Sequence, residues 1–464
     1  MKKLYDLGAT AILIIFGCLL SFMGLKSFDY ISEINNIFII KFLKLIVCIG
    51  LFILVYLGIY RLNFSNQLAS LGLFLSAFFL RFLFILNVDI QPISDFKLLY
   101  ETAYAISNGN LEPIKNDVYF KLWNYNIPFT LYEAFILRIF DNQFVIQFVN
   151  VLLSSGIVVL IYNISRKLFN QKIGLFSAII AIVFPPFIVY SGILTNQTIS
   201  IFFLLLGIYF YLSKKDLIWV GLMLGLAQIF RPIGTLFLLG IVLMLLIQFI
   251  SNNRFNFNSI KSLIIKNIKL FSSYHLVLII TSVILLKGNY SEHSLYHNAS
   301  SNYKFLVGFN YNSKGGYSEE DSNLLFNTYD TTFENYSKEL IKIRTEDKLK
   351  VLELFEEKFR IMWSSSDSSF YWADWYNDQL LKVTNYMWVV ILFLGSYASF
   401  SLIKSISRQH VLMIPILLGL FIGVYFLIEI QSRYRYELYP LFIIISGYGM
   451  FEMFQFLYKK VRVK

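Results

Sequence analysis

Apolar residues run along this chain in long, unbroken blocks separated by short polar stretches. Twelve blocks approach the roughly 20 residues that cross a bilayer as helix. They lie at about 8–25, 37–60, 67–88, 143–163, 173–191, 195–212, 217–230, 234–250, 272–287, 386–403, 410–429 and 440–458. Apolar and polar residues do not alternate within them, which predicts helices and not barrel strands. The expected fold is an all-α polytopic membrane protein with about 12 transmembrane helices. Pro185-Pro186 predicts a bend in the fifth block, and the seventh is short. Met1-Lys2-Lys3 followed by apolar residues 7–25 has the shape of a signal sequence. No A-x-A-like cleavage site follows, so the segment is read as a retained helix.

Two polar stretches are long. The first, 89–142, carries Asp95 behind Gln91-Pro92-Ile93-Ser94, then Tyr100, Tyr104, Ala105 and Gly109 at helical spacing. Ser94 or Asp95 is placed to cap that helix. The second, 288–385, is rich in Tyr, Asn and Ser as far as residue 330. It then predicts one helix over 336–363 from Leu340, Ile343, Leu349, Leu352, Phe355 and Phe359. The expected organisation is two additional N-terminal helices (1–66), a membrane core with a catalytic loop (67–287, loop 89–142), an external subdomain (288–385) and C-terminal helices (386–464). No internal repeat stands out, which argues against a transporter built from paired halves.

Charge sets the orientation. The net charge of +11 points to nucleic acid only if its distribution is ignored. Lys2 and Lys3, Arg61, Arg166 with Lys167 and Lys172, Lys214 with Lys215, Arg254 through Lys269, Lys404 with Arg408, and the tail from Lys459 to Lys464 fall in alternate turns. That is the positive-inside pattern, with both termini cytoplasmic and both long segments outside. A lipid bilayer is the expected partner, and nucleic acid is not. Cys18 and Cys48 lie inside apolar blocks and read as small hydrophobes, not as a disulfide.

Four arginines break the inside bias: Arg81, Arg231, Arg433 and Arg435, all near the outer helix ends. Snorkelling to lipid headgroups explains such residues singly. As a group beside Asp95 they read better as a shared phosphate site, since the planar guanidinium fork matches phosphate oxygens. Weaker candidates are the pair His293 and His297 beside Glu292, which reads as a solvated loop pair before a metal site. Gly315-Gly316 reads as a turn or backbone-contact loop and lacks the residues of a phosphate-binding Walker motif. The tract Tyr371-Trp372-Ala373-Asp374-Trp375-Tyr376 suits the membrane surface or a sugar face. Asn196-Gln197-Thr198 and Asn298-Ala299-Ser300 match glycosylation sequons.

The order of certain pieces resembles the GT-C superfamily of membrane glycosyltransferases, in particular bacterial members related to protein O-mannosyltransferases and lipid A aminoarabinose transferases. The pieces are Arg81, Pro92-Ile93-Ser94-Asp95, Tyr100, Ala105 and Gly109, then Tyr119-Phe120 before Asn126, and Asn150-Val151-Leu152-Leu153. Gly225-Leu226-Ala227, Arg231-Pro232, Gly308-Phe309-Asn310, Gly316, Asp321, Arg433-Tyr434 and Pro440 follow. The resemblance implies that Asp95 is the catalytic carboxylate. It implies that Arg81, Arg231, Arg433 and Arg435 bind donor phosphate, and that Tyr100, Tyr119, Asn310 and Tyr434 contact substrate. Some relatives carry a second acid directly after the first; Phe96 stands there in this chain. The implied reaction moves a hexose or pentose, with inversion, from a polyprenyl-phosphate donor to a hydroxyl of a cell-envelope glycan, lipid or protein. It implies a bacterial plasma membrane, with no definite cofactor and the need for a divalent metal left open. The alternatives are a polymerase or ligase using pyrophosphate-linked oligosaccharides, which does not need Asp95, and a lipid-glycan transporter. A transporter calls for ionisable residues at mid-membrane, and few are present.

Overall fold

The computed structural model describes residues 2–34, 38–60, 64–251, 256–297, 300, 302–329, 332–364, 369–373, 377–405 and 409–462. Arg61, Arg254, Arg408, Lys464, Asn298-Ala299 and Asp374-Trp375-Tyr376 lie outside them. The described residues form helices and no strands. Each of the twelve apolar blocks becomes a helix, and seven helices are long and apolar enough to cross a membrane outright. Four shorter apolar helices join them: Leu43–Ile59, Gln171–Val183, Asn196–Leu212 and Leu217–Phe230. Tyr439–Arg462 takes the last place.

Three boundaries differ from expectation. The fifth block splits into Gln171–Val183 and the short Pro185–Val189. Phe184 is extended ahead of the proline pair, because a proline ring clashes with a helical residue before it. The predicted helix over 336–363 is two helices, Phe333–Glu346 and Lys348–Ser364. Asp347 breaks it by accepting hydrogen bonds from the backbone N–H groups of Leu349 and Lys350 (3.0 and 3.2 Å), which starts the second helix. The ninth crossing helix, Phe257–Lys287, begins well before residue 272. Its added turns carry Lys261, Lys266 and Lys269, and Lys269 pairs with Asp216 at 2.5 Å.

Close helix packing follows from small residues. Gly221 and Gly225 lie four apart on Leu217–Phe230, against Phe257–Lys287. A Cβ at Gly221 would collide with Ser273, and one at Gly225 would come within 2.8 Å of the Tyr274 carbonyl. Backbones in lipid approach this closely where side chains are absent.

The two long polar segments leave the same end of the bundle and pack on one another. Asn124 donates to the Ser294 carbonyl (2.9 Å), and Ser300 donates to the Leu122 carbonyl (3.1 Å). The external helices are tied to the bundle by Lys358, whose ammonium donates to the carbonyls of Gly308, Phe426 and Ile428 (each 2.8 Å). Gly315, at φ +72°, lets the loop pass against that lysine; a Cβ there would meet its Cδ at 2.7 Å. The Gly315 carbonyl also accepts from the Ile430 N–H (2.9 Å), so this turn is a backbone contact.

Candidate active site

Asp95 stands in the first turn of Ser94–Ser107. Neither it nor Ser94 caps that helix: Ile93 occupies the cap position without a side-chain bond, and Ser94 is left-handed at φ +49°. The Asp95 carboxylate is exposed, and it makes no hydrogen bond or ion pair among the described residues. A helix N-terminus favours a negative charge at this position.

The next residue, Phe96, turns inward and is buried. Its ring meets Trp372 at 5.3 Å. Arg433 lies over both rings, 3.7 Å from the Trp372 centroid and 5.3 Å from Phe96, with Tyr434 at 5.7 Å. Rings satisfy the faces of a guanidinium but not its in-plane N–H groups. The Nε and Nη1 atoms of Arg433 are buried and have no hydrogen-bond partner among the described residues. A buried cationic fork with open donors is an expensive feature unless an anion completes it.

Tyr119 joins the carboxylate to this fork. Burial pushes its phenol well above the usual range, Asp95 adds to the push, and Arg433 opposes it. Asn126 donates to that hydroxyl (2.8 Å), and Asn196 reaches the Asn126 amide oxygen at 3.5 Å. Arg231 donates to Asn196 (3.3 Å) and forms an ion pair with Glu437, whose side chain is fully buried. Gln197 donates both to Glu437 (3.0 Å) and to the Arg433 carbonyl (3.3 Å). The Tyr434 ring lies 5.2 Å from the Arg231 guanidinium. Burial pushes the Glu437 carboxyl above the usual range, while Arg231 and Gln197 pull it back. Beside this chain Lys304 pairs with Glu429, which also accepts from Gln431 (2.8 Å). Burial opposes charge on both partners, yet pairing holds Glu429 below and Lys304 well above their usual ranges.

The structure therefore brings together Asp95, Tyr119, Arg231, Arg433 and Tyr434. It sends the other candidates elsewhere. Arg81 is fully buried inside the bundle, where Ser154 Oγ (2.8 Å) and the carbonyls of Ala77 (3.2 Å) and Ala181 (3.0 Å) accept its N–H groups. Arg435 is buried over Trp388 and donates to the Ser432 carbonyl (3.1 Å). Tyr100 packs among Ala103, Ala134 and Ile136, in a cluster apart from the rings around Arg433. Asn310 spends its whole amide on its own loop. It donates to Ser318 (3.1 Å) and Asp321 (2.7 Å) and accepts from the N–H groups of Asn312 and Ser313. The Asn196-Gln197-Thr198 sequon is buried. The His293 and His297 rings lie 4.0 Å apart at a tilt of 40°, and no three His, Cys, Asp or Glu side chains among the described residues gather into a metal-holding set.

Sequence reasoning overlooked Glu437, Lys304, Asn126, Asn196 and Gln197 as members of this layer. One signal was present: Glu437 closes the Arg433–Arg435 stretch, charged residues hemmed between two apolar blocks.

Residues 129–285 match the family model described as dolichyl-phosphate-mannose-protein mannosyltransferase. The matched stretch carries Asn196, Gln197 and Arg231 and begins after Asp95. No curated protein shows a significant match. The family match, on an all-helical bundle with this polar layer at one end, supports placing the chain in the GT-C superfamily of membrane glycosyltransferases.

Proposed function

We propose that this chain transfers a sugar, with inversion, from a polyprenyl-phosphate donor to an acceptor hydroxyl at the Asp95 end of the bundle. The observation that carries the reading is the Arg433 fork, with two buried donors unpartnered among the described residues, near an Asp95 that has no partner among them. Arg433 holds the donor phosphate, with Tyr119 and Tyr434 alongside. Asp95 takes the proton of the acceptor hydroxyl as its oxygen attacks the anomeric carbon. The bond from that carbon to the phosphate oxygen breaks, and its electron pair leaves on the phosphate. A phosphate monoester has a second pKa of roughly 6. It therefore departs without the protonating acid that glycoside hydrolysis needs. Charge stabilisation by a positioned guanidinium replaces that acid.

The Arg231–Glu437 pair has a different role. It neutralises itself and braces the backbone of Arg433 through Gln197, and its Arg231 edge reaches Asn196 and the Tyr434 face. The alternation of basic turns supports an outward-facing Asp95 end and cytoplasmic termini, and the Lys/Asn/Ile/Phe-rich composition supports a bacterial plasma membrane.

The test is transfer from a radiolabelled polyprenyl-phosphate hexose by the purified protein and by Asp95→Asn. Loss of transfer with retained donor binding is expected. Equal transfer by both proteins would remove Asp95 from the reaction.

A further inference from the structure

A cavity of about 1080 Å³ opens where the first external loop, the end of Phe257–Lys287 and the external subdomain meet. It reaches the upper end of the roughly 300–1,000 Å³ usual for ligand pockets. Phe120, Lys121, Asn124, Tyr290, Asn302 and Tyr329 are among its walls. We infer that this groove binds an oligosaccharide chain, the acceptor of the proposed transfer, and so the inference rests on that reading.

Three observations carry it. The first is position. The short helix Val118–Leu122 divides the groove from the candidate active site. Phe120 and Lys121 of that helix line the groove, while the hydroxyl of the preceding Tyr119 accepts from Asn126, which leads through Asn196 to Arg231. A chain lying in the groove is thus separated from that polar layer by one short helix. The second is chemistry. Carboxamides both donate and accept, which suits adjacent sugar hydroxyls, and aromatic rings offer apolar faces to sugar C–H groups. The groove combines amides and rings, with exposed His293 and His297 in tilted contact among its walls. Asn302 lines the groove, and its Nδ2 atom is buried with no hydrogen-bond partner among the described residues. The third is what the groove lacks as a peptide or lipid site. The described residues offer no strand edge for an extended peptide. The walls are amides, lysines and histidines more than an apolar track for an acyl chain.

Lys115 and Lys121 add a cationic side. Neither has an acidic partner among the described residues, whereas Glu334 across the groove is paired with Lys338 at 2.6 Å. Anionic and neutral chains share the same hydroxyl chemistry, and the two arms of the test separate them.

The experiment applies the full-length protein in lipid nanodiscs, without donor, to an array of neutral and uronate-bearing tri- to hexasaccharides. Binding to at least one class is expected. Lys121→Glu, Asn289→Ala and His293→Ala, three exposed positions outside the proposed catalytic contacts, should each weaken it about 10-fold or more. Lys121→Glu should weaken uronate-bearing chains more than neutral ones. Donor affinity, measured separately on the polyprenyl-phosphate hexose, should stay unchanged in all three. No saccharide binding, or binding indifferent to all three substitutions, overturns the groove assignment. Because the array is read without donor, an inert Asp95 would leave this result standing, and failure here would leave the donor site untouched.

Discussion

Two arginine sites in this protein solve the burial of a guanidinium in opposite ways. Arg81, in the outer half of Asn66–Asn87, is enclosed by a serine and two carbonyls that accept its hydrogen bonds. Arg433, at the loop before the last helix, is enclosed by aromatic rings and keeps two donors without a partner among the described residues. The first arrangement is complete without a ligand, so its role is to bind helices to one another. The second is complete only with an anion. A sequence scan treats the two alike, as outer-side arginines among apolar blocks. The difference in what receives their N–H groups separates scaffold from site.

Substitutions can break this contrast. The largest effect is expected at Asp95. Asp95→Asn keeps the shape and removes the base, so transfer should fall by about 100- to 10,000-fold with donor binding intact. Loss of donor binding as well would show that the carboxylate orders the phosphate site instead. Next is the pair that braces Arg433. Arg231→Met or Glu437→Gln alone strands a buried partner, at a cost of about 3–5 kcal/mol in thermal or denaturant stability. The double substitution should recover much of that loss; additive losses would mean the two residues do not act as a pair. Arg433→Ala should raise the donor KM by about 10- to 100-fold, the worth of one charge-assisted contact of roughly 1.5–3 kcal/mol. It should leave the thermal midpoint nearly unchanged, because among the described residues no group accepts from its Nε and Nη1 atoms. Arg81→Met should do the reverse: a lower midpoint with an unchanged donor KM. A donor KM shift from Arg81→Met would erase the distinction. The smallest effect on chemistry is expected from Asn310→Ala. It should loosen the external loop by about 1 kcal/mol without altering donor KM.

Much of the fold was legible because lipid imposes a simple rule. Each crossing must satisfy its own backbone, so the apolar blocks announce helices directly. Local exceptions were partly visible: Pro185-Pro186 marked a break, but the cap at Asp347 hid inside a run of helical spacing. For the site, Asp95 and the Arg433–Tyr434 stretch could be picked from the chain. Tyr100 could not be oriented, since helical spacing gives a face without naming what that face meets. Asn310 looked available, yet neighbours within eleven residues consume its amide. Glu437 looked unremarkable until Arg231, far away along the chain, was seen against it.

By itself the order of residues determined a helical membrane bundle, its approximate crossings and a lone acid at the start of a loop helix. These depend on local composition and on contacts within one segment. Which arginine is sealed and which stays open, and which acid is neutralised and which exposed, was decided only by tertiary structure. Those properties belong to pairs of groups from distant segments, and burial sets their energy only once the helices have packed.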